Sequence, residues 1–223
     1  MPTLGRSKTL FKIFGLPIKM NPSWILLFGL VVYSFAHREG WFAHKLGAEA
    51  ISTGLRWGLA VIAALGLFAS LIAHELCHSV VARHTGMPVK GIMRFIFGGV
   101  SEMEEEPPTA GSEFLMAVVG PISSLVISLL CFSVWGAGRF ALGFSDTVLA
   151  FFQLLGIVNL MLAIFNSMPA FPLDGGRVVR SILWGLTDDL RQATSVASRV
   201  GSVFAVVLIV LGVLALFNGV LIG

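Results

Sequence analysis

"LIAHELCHSVVARH", residues 71–84, lies inside one of the most apolar stretches of the chain. His74, Glu75 and His78 interrupt what otherwise reads as a membrane-spanning helix. An ionisable residue at membrane depth costs on the order of 3 kcal/mol by insertion scales, so three of them close together mark a functional site. On a helix, residues four apart are separated by about 40° at about 100° per residue, so His74 and His78 present two imidazoles to one metal ion. Glu75 is turned about 100° from His74 and about 60° from His78, beside the metal face and not on it. That position suits a carboxylate that handles water without ligating the ion. H-E-x-x-H on a helix is a zinc-hydrolase pattern with the Glu as general base. Zinc lowers the pKa of its water toward about 7, while the Glu collects the proton and later returns it. The competing reading is a buried His–Glu–His cluster that glues two helices. Cys77 points to the other side of His74 and reads as packing.

The remainder of the chain fits a membrane setting. Of its 223 residues 56% are hydrophobic and 12% charged, and the mean hydropathy is +0.90. A soluble domain is about half apolar and about a quarter charged, so this composition reads as an integral membrane protein. Cys77 and Cys131 both lie in apolar tracts and imply no disulfide framework. A net charge of +3 gives no footprint for nucleic acid.

Apolar tracts at about 21–36, 57–82, 113–135, 148–167 and 200–217 read as five spans within one transmembrane domain, residues 1–223. The last tract is apolar to Gly223. Asn218-Gly219 reads as a turn and "VLIG" as the start of a sixth span. Residues 1–20 carry Arg6, Lys8, Lys12 and Lys19 and no acid, which places that end in the cytoplasm. No small-x-small site follows the first tract, against a cleaved signal peptide. The second span then returns, with His74 about 14 Å along the axis from Arg83 and nearer the cytoplasmic side. After "RHTGMPVKG", a basic turn, "IMRFIFGGVSEM" is a β-prone stretch, and "EEEPP" is a solvated loop. The expected fold class is an all-α polytopic membrane protein of five to six transmembrane helices, with a short membrane-associated β hairpin between helices 2 and 3.

A catalytic zinc takes three protein ligands and keeps one open position. Glu113 and Asp146 stand at span edges, and the acids at 102–106, 188 and 189 stand in loops. Asp174 in "NSMPAFPLDGGR" remains. Pro169 and Pro172 stop the fourth helix, and irregular backbone at membrane depth is tolerated only inside protein or along a wet cavity. Gly175 and Gly176 permit close approach there. Asp174 reads either as the third ligand or as the N-cap of a helix starting near Arg177.

"HELCH" in the second span and "NSMPAFPLDGGR" after the fourth, with "FIFGGV" and "AVVGP" between them, resemble the site-2 protease family of intramembrane zinc metalloproteases over about residues 10–220. The resemblance implies one catalytic Zn2+ held by His74, His78 and Asp174, with Glu75 as general acid/base. It implies an oxyanion contact from Asn166, whose alternative is interhelical hydrogen bonding alongside Asn159. It also implies an edge strand over Phe95, Phe97, Gly98, Gly99 and Val100, to which an unwound substrate pairs. A plain membrane-dipping hairpin is the alternative. The PDZ and CBS domains that many members carry have no counterpart in this sequence. The implied function is regulated intramembrane proteolysis. The substrates would be single-pass transmembrane proteins in the lipid bilayer, cut in or near their spans. The expected location is the inner or plasma membrane, with the N-terminus and active-site opening on the cytoplasmic side. A transmembrane metal-ion transporter is the rival class. His37, His44 and His84 form no cluster of the kind an ion path uses.

Overall fold

The apolar tracts become helices packed side by side, as backbone groups in a bilayer require. A computed structural model describes residues 8–13, 16–20, 24–87, 89–95, 98–103 and 106–217. The described helices are α1 (Trp24–Ala36), α2 (Trp41–Leu46), α3 (Thr53–His84), α4 (Ala110–Ala137), α5 (Asp146–Asn166), α6 (Asp174–Thr187) and α7 (Leu190–Phe217). α4 runs on through one π turn, Gly138–Leu142.

Among the described residues four helices are long and apolar enough to cross a membrane: α3, α4 with its π turn, α5 and α7. This is fewer than the five to six spans expected from sequence. The first tract yields α1, 13 residues long. At 1.5 Å per residue that is about 20 Å, short of a hydrocarbon core about 30 Å thick. Residues 218–223, where a sixth span was expected to begin, lie outside the described residues.

Helix ends also move from their expected places. Ser52 caps α3, its side chain accepting from the Leu55 N–H, so Arg56 lies within the helix and is buried. α7 starts at Leu190 inside a segment that reads as polar loop, because the Asp189 carboxylate accepts the Arg191 and Gln192 N–H groups at 2.8 and 3.0 Å. Thr109 and Ser112 form a reciprocal capping box at the start of α4.

Small side chains let the helices approach closely. Ala36, Ala60, Ala63, Ala64 and Ala150 pack with Val32, Phe42 and Leu154 where α1, α2, α3 and α5 meet. The outward faces keep Leu, Val and Ile exposed, for example Ile62, Leu130 and Val203. Polar contacts tie the bundle inside. Asn159 of α5 donates to Ser70 Oγ of α3 at 3.1 Å, and Ser128 of α4 donates to the Gly156 carbonyl of α5 at 2.8 Å. α4 is central, packing against α3, α5 and α6, while α6 also packs against α7.

The stretch expected as a hairpin between the second and third spans forms β3 (Val89–Phe95) and β4 (Gly98–Met103), joined in one sheet with β1 (Lys8–Ile13) and β2 (Leu16–Met20). The strand order is β1-β2-β3-β4. β1 and β2 are antiparallel, β2 runs parallel to β3 with Ile18 opposite Ile92, and β3 and β4 are antiparallel with Phe95 opposite Gly98. The N-terminal basic segment thus joins the loop that follows the "HELCH" helix.

The Trp41 indole N–H of α2 donates to the Ala150 carbonyl of α5 at 3.0 Å. Trp41→Phe keeps most of the ring and removes this bond, so unfolding measured in detergent should show a loss of about 1 kcal/mol.

Candidate metal centre

α3 places His74 and His78 one turn apart on its inner face, 3% and 5% exposed. The third member arrives from a non-helical turn. α5 ends at Asn166, and Pro169 and Pro172 hold the chain out of a helix until α6 begins at Asp174. Gly176 allows the turn to fold back on itself, since a Cβ there would stand 2.8 Å from the Phe171 nitrogen and the Ala170 carbonyl carbon.

Asp174 is the first residue of α6, after Leu173, and its side chain does not cap that helix. Its Oδ2 lies 3.1 Å from His74 Nε2 and 3.2 Å from His78 Nε2, while the two Nε2 atoms are 3.2 Å apart. Leu173 occupies the N-cap position, and Asp174 meets the two imidazoles. Among the described residues these three make a group able to hold a metal ion. Cys77, half-buried on the same helix, is outside it.

The donor set itself tests whether a cation fits. His78 Nδ1 is 2.6 Å from the Met116 carbonyl, which can only accept, so Nδ1 carries the proton. In a neutral ring Nε2 is then a bare acceptor. His74 Nδ1 is 2.9 Å from Ser124 Oγ, which leaves its Nε2 facing the same point. Two imidazole nitrogens and a carboxylate oxygen converge, and a positive ion is what such a triangle suits. Zinc–nitrogen bonds of about 2.0–2.1 Å in a tetrahedron separate ligand atoms by about 3.3 Å, close to the spacings present. A partner on the far nitrogen of each His is the usual arrangement behind metal ligands.

One face of α4 organises all of this. Glu113, Gly120 and Ser124 fall within about 40° around the helix, and Met116 is about 40° beyond. Ser124 meets His74, and the Met116 carbonyl meets His78. Gly120 provides room: a Cβ there would overlap His78 Nε2 and stand 2.7 Å from His74 Nε2. Glu113, wholly buried, pairs with α6: Arg180 Nε donates to its Oε1 at 2.8 Å, with Arg180 Nη2 also in contact, and Arg177 Nε lies 3.6 Å away. Burial pulls the Arg177 guanidinium below its ordinary value, and the charge of Glu113 opposes that shift.

The other expected site residues lie outside the group of His74, His78 and Asp174. Glu75 is half-buried. Asn166 Nδ2 donates to the Leu162 carbonyl in its own helix at 2.9 Å, whereas Asn159 bridges helices. Phe95 lies in β3 and Gly98, Gly99 and Val100 in β4, the outer strand of the sheet; Phe97 lies outside the described residues. Sequence reasoning missed Met116, Gly120, Ser124, Arg177 and Arg180, and it took Glu113 for a span edge. The pair of arginines three apart just beyond "LDGG", and one acid opening the preceding span, were the available signal.

The chain is similar to known proteins. The model of peptidase family M50 matches residues 62–143 and 141–208. A Synechocystis protein named as a candidate zinc metalloprotease, sll0528, is 40% identical over 206 residues, 92% of this chain and 52% of its own. Zinc metalloprotease MJ0392 of Methanocaldococcus jannaschii is 30% identical over 213 residues, 96% of this chain and 56% of its own. The solved structure of a site-2 protease from Methanocaldococcus jannaschii matches with a TM-score of 0.59 at 30% identity, over 95% of this chain and 87% of that one. The chain spans about half the length of the curated relatives it matches. With its apolar helices, this kinship makes it an integral membrane protein.

Gly120→Ala places a methyl group where the His74 and His78 nitrogens stand. Purified variant should bind at most about a tenth of the wild-type zinc by elemental analysis, by analogy with the 10–100-fold losses seen when ligand orientation is disturbed. Its helical circular dichroism should be unchanged.

Proposed function

Because this chain belongs to peptidase family M50, the family of the site-2 proteases, we propose that it is an intramembrane zinc metalloendopeptidase. Its substrates on this reading are single-pass transmembrane proteins, cleaved in or near the spanning segment as a step of regulated proteolysis. The observation that carries the reading is the triangle of His74, His78 and Asp174, with Glu75 next to His74 in sequence on the same apolar helix.

His74, His78 and Asp174 hold the ion, and a zinc ion bound there supplies Lewis acidity to water and to the scissile carbonyl. Glu75 takes a proton from the attacking water and delivers it to the leaving nitrogen as the C–N bond breaks, so it ends the cycle as it began. Asn166 has two amide hydrogens on Nδ2. One goes to Leu162, and the other is available to the oxyanion that develops on the attacked carbonyl.

A helical substrate hides its carbonyls in its own hydrogen bonds and must unwind first. The outer edge of β4 supports a docking role, because an extended strand there gains backbone bonds without a demand for particular side chains. Gly98, Gly99 and Val100 lie on β4 and Phe95 at the end of the neighbouring β3, while Phe97 of the same stretch lies outside the described residues. The basic N-terminal segment supports a cytoplasmic N-terminus, an active site that opens on the same side, and residence in the inner or plasma membrane.

The test is cleavage of a single-pass model protein by wild type and Glu75→Gln, with zinc quantified in both. Loss of the general base should slow cleavage about 10²- to 10⁴-fold while zinc stays at the wild-type level. Undiminished cleavage by the Gln variant would remove Glu75 from the chemistry. A wild type without zinc would remove the metal centre altogether.

A further inference from the structure

The buried carboxylate of Glu113 takes no part in the chemistry above, and its setting is unusual for a membrane helix. It is wholly buried in the first turn of α4 and meets two cations, Arg177 and Arg180, both on α6. A buried ion pair contributes little net stability compared with well-packed apolar side chains, because desolvation offsets most of the attraction. Here two nitrogens of the Arg180 guanidinium meet one carboxylate oxygen, Oε1, and what such a charge-assisted contact provides is fixed relative geometry.

Arg180 contributes more than one contact to that geometry. Its guanidinium also lies over the Phe171 ring, 5.8 Å from the centroid, in the turn that leads into α6. Arg180 therefore joins α4, the Pro-rich turn and α6. Arg177, one turn beyond Asp174, feels the charges of both Glu113 and Asp174. α6 packs against α4 and α7, whereas the two imidazoles belong to α3. The placement of Asp174 against those imidazoles is thus relayed through α4, which orients both rings through Met116 and Ser124. A one-residue slip of α6 would move Asp174 by about 1.5 Å along the axis and about 100° around it, enough to open the triangle.

We propose that Glu113 is a positioning residue for the metal centre: through Arg180 and Arg177 it locks α6 in the register that delivers Asp174 to His74 and His78. The proposal rests on the metal-centre reading above. It predicts that the Glu113–Arg180 contact governs how tightly and in what geometry the ion is held, apart from any share it has in holding the fold.

The experiment uses the full chain purified in detergent, as wild type, Glu113→Gln and Arg180→Lys. Zinc affinity is measured by chelator competition, and the coordination geometry by the visible spectrum of the cobalt-loaded protein. Glu113→Gln should bind zinc 10- to 100-fold more weakly, in the range seen for residues behind metal ligands, and its cobalt spectrum should lose tetrahedral intensity. Arg180→Lys keeps the charge without the fork and should fall between the two. A Glu113→Gln protein with wild-type affinity and spectrum would overturn the proposal, even if it melts at a lower temperature, since a purely structural pair predicts that result. If that variant does not fold, Arg180→Lys decides by the same two readouts. A wild type that binds neither zinc nor cobalt would overturn the metal centre itself, and with it this proposal; that failure is seen in the control and not in the variants.

Discussion

Two imidazole nitrogens, His74 Nε2 and His78 Nε2, and the carboxylate oxygen Asp174 Oδ2 face one another at 3.1–3.2 Å, with both imidazoles buried. Without a positive charge among them they repel, and buried acceptors without donors are costly. The surrounding architecture can be understood as what it takes to hold them there. α3 supplies two donors from one face, a Pro-broken turn brings the third, and α4 keeps all three from relaxing apart.

The role of α4 separates this centre from a chance cluster. Each contact on its inner face removes one freedom. A backbone carbonyl fixes one ring and a hydroxyl meets the other. A missing side chain provides the volume, and an ion pair sets the neighbouring helix. Low dielectric makes such contacts stronger when satisfied and more damaging when not, so the face behaves as a unit. The lipid-facing residues around it need only be apolar and of helical propensity.

The three members of the candidate metal group were legible from sequence because their signals are local or exclusionary. His74 and His78 obey a four-residue spacing, and Asp174 was the acid left after those at span edges and in loops were set aside. The support on α4 was not legible for equally physical reasons. The Met116 carbonyl is backbone and leaves no trace in residue type, Ser124 is an ordinary residue in a membrane helix, and Gly120 acts by absence. Glu113 and Arg180 are 67 positions apart, so nothing local links them. The same distinction explains the elements. Long apolar tracts announced α3, α4 and α5. The short α1, the start of α7 at Leu190 and the parallel pairing of β2 with β3 depended on chain ends and distant partners that hydropathy does not record.

The ligand triangle also has a meaning in polymer terms. His74 and Asp174 are 100 residues apart in sequence, and among the described residues α6 packs chiefly on α4 and α7. An ion coordinated by both helices is therefore a crosslink that closes a large loop. In the chain-entropy picture, a covalent link across about 100 residues restricts the unfolded ensemble by about 4.7 kcal/mol at most, and coordination is a reversible version of that tie. An ion held there would fasten α3 to α6 as well as serve the proposed chemistry.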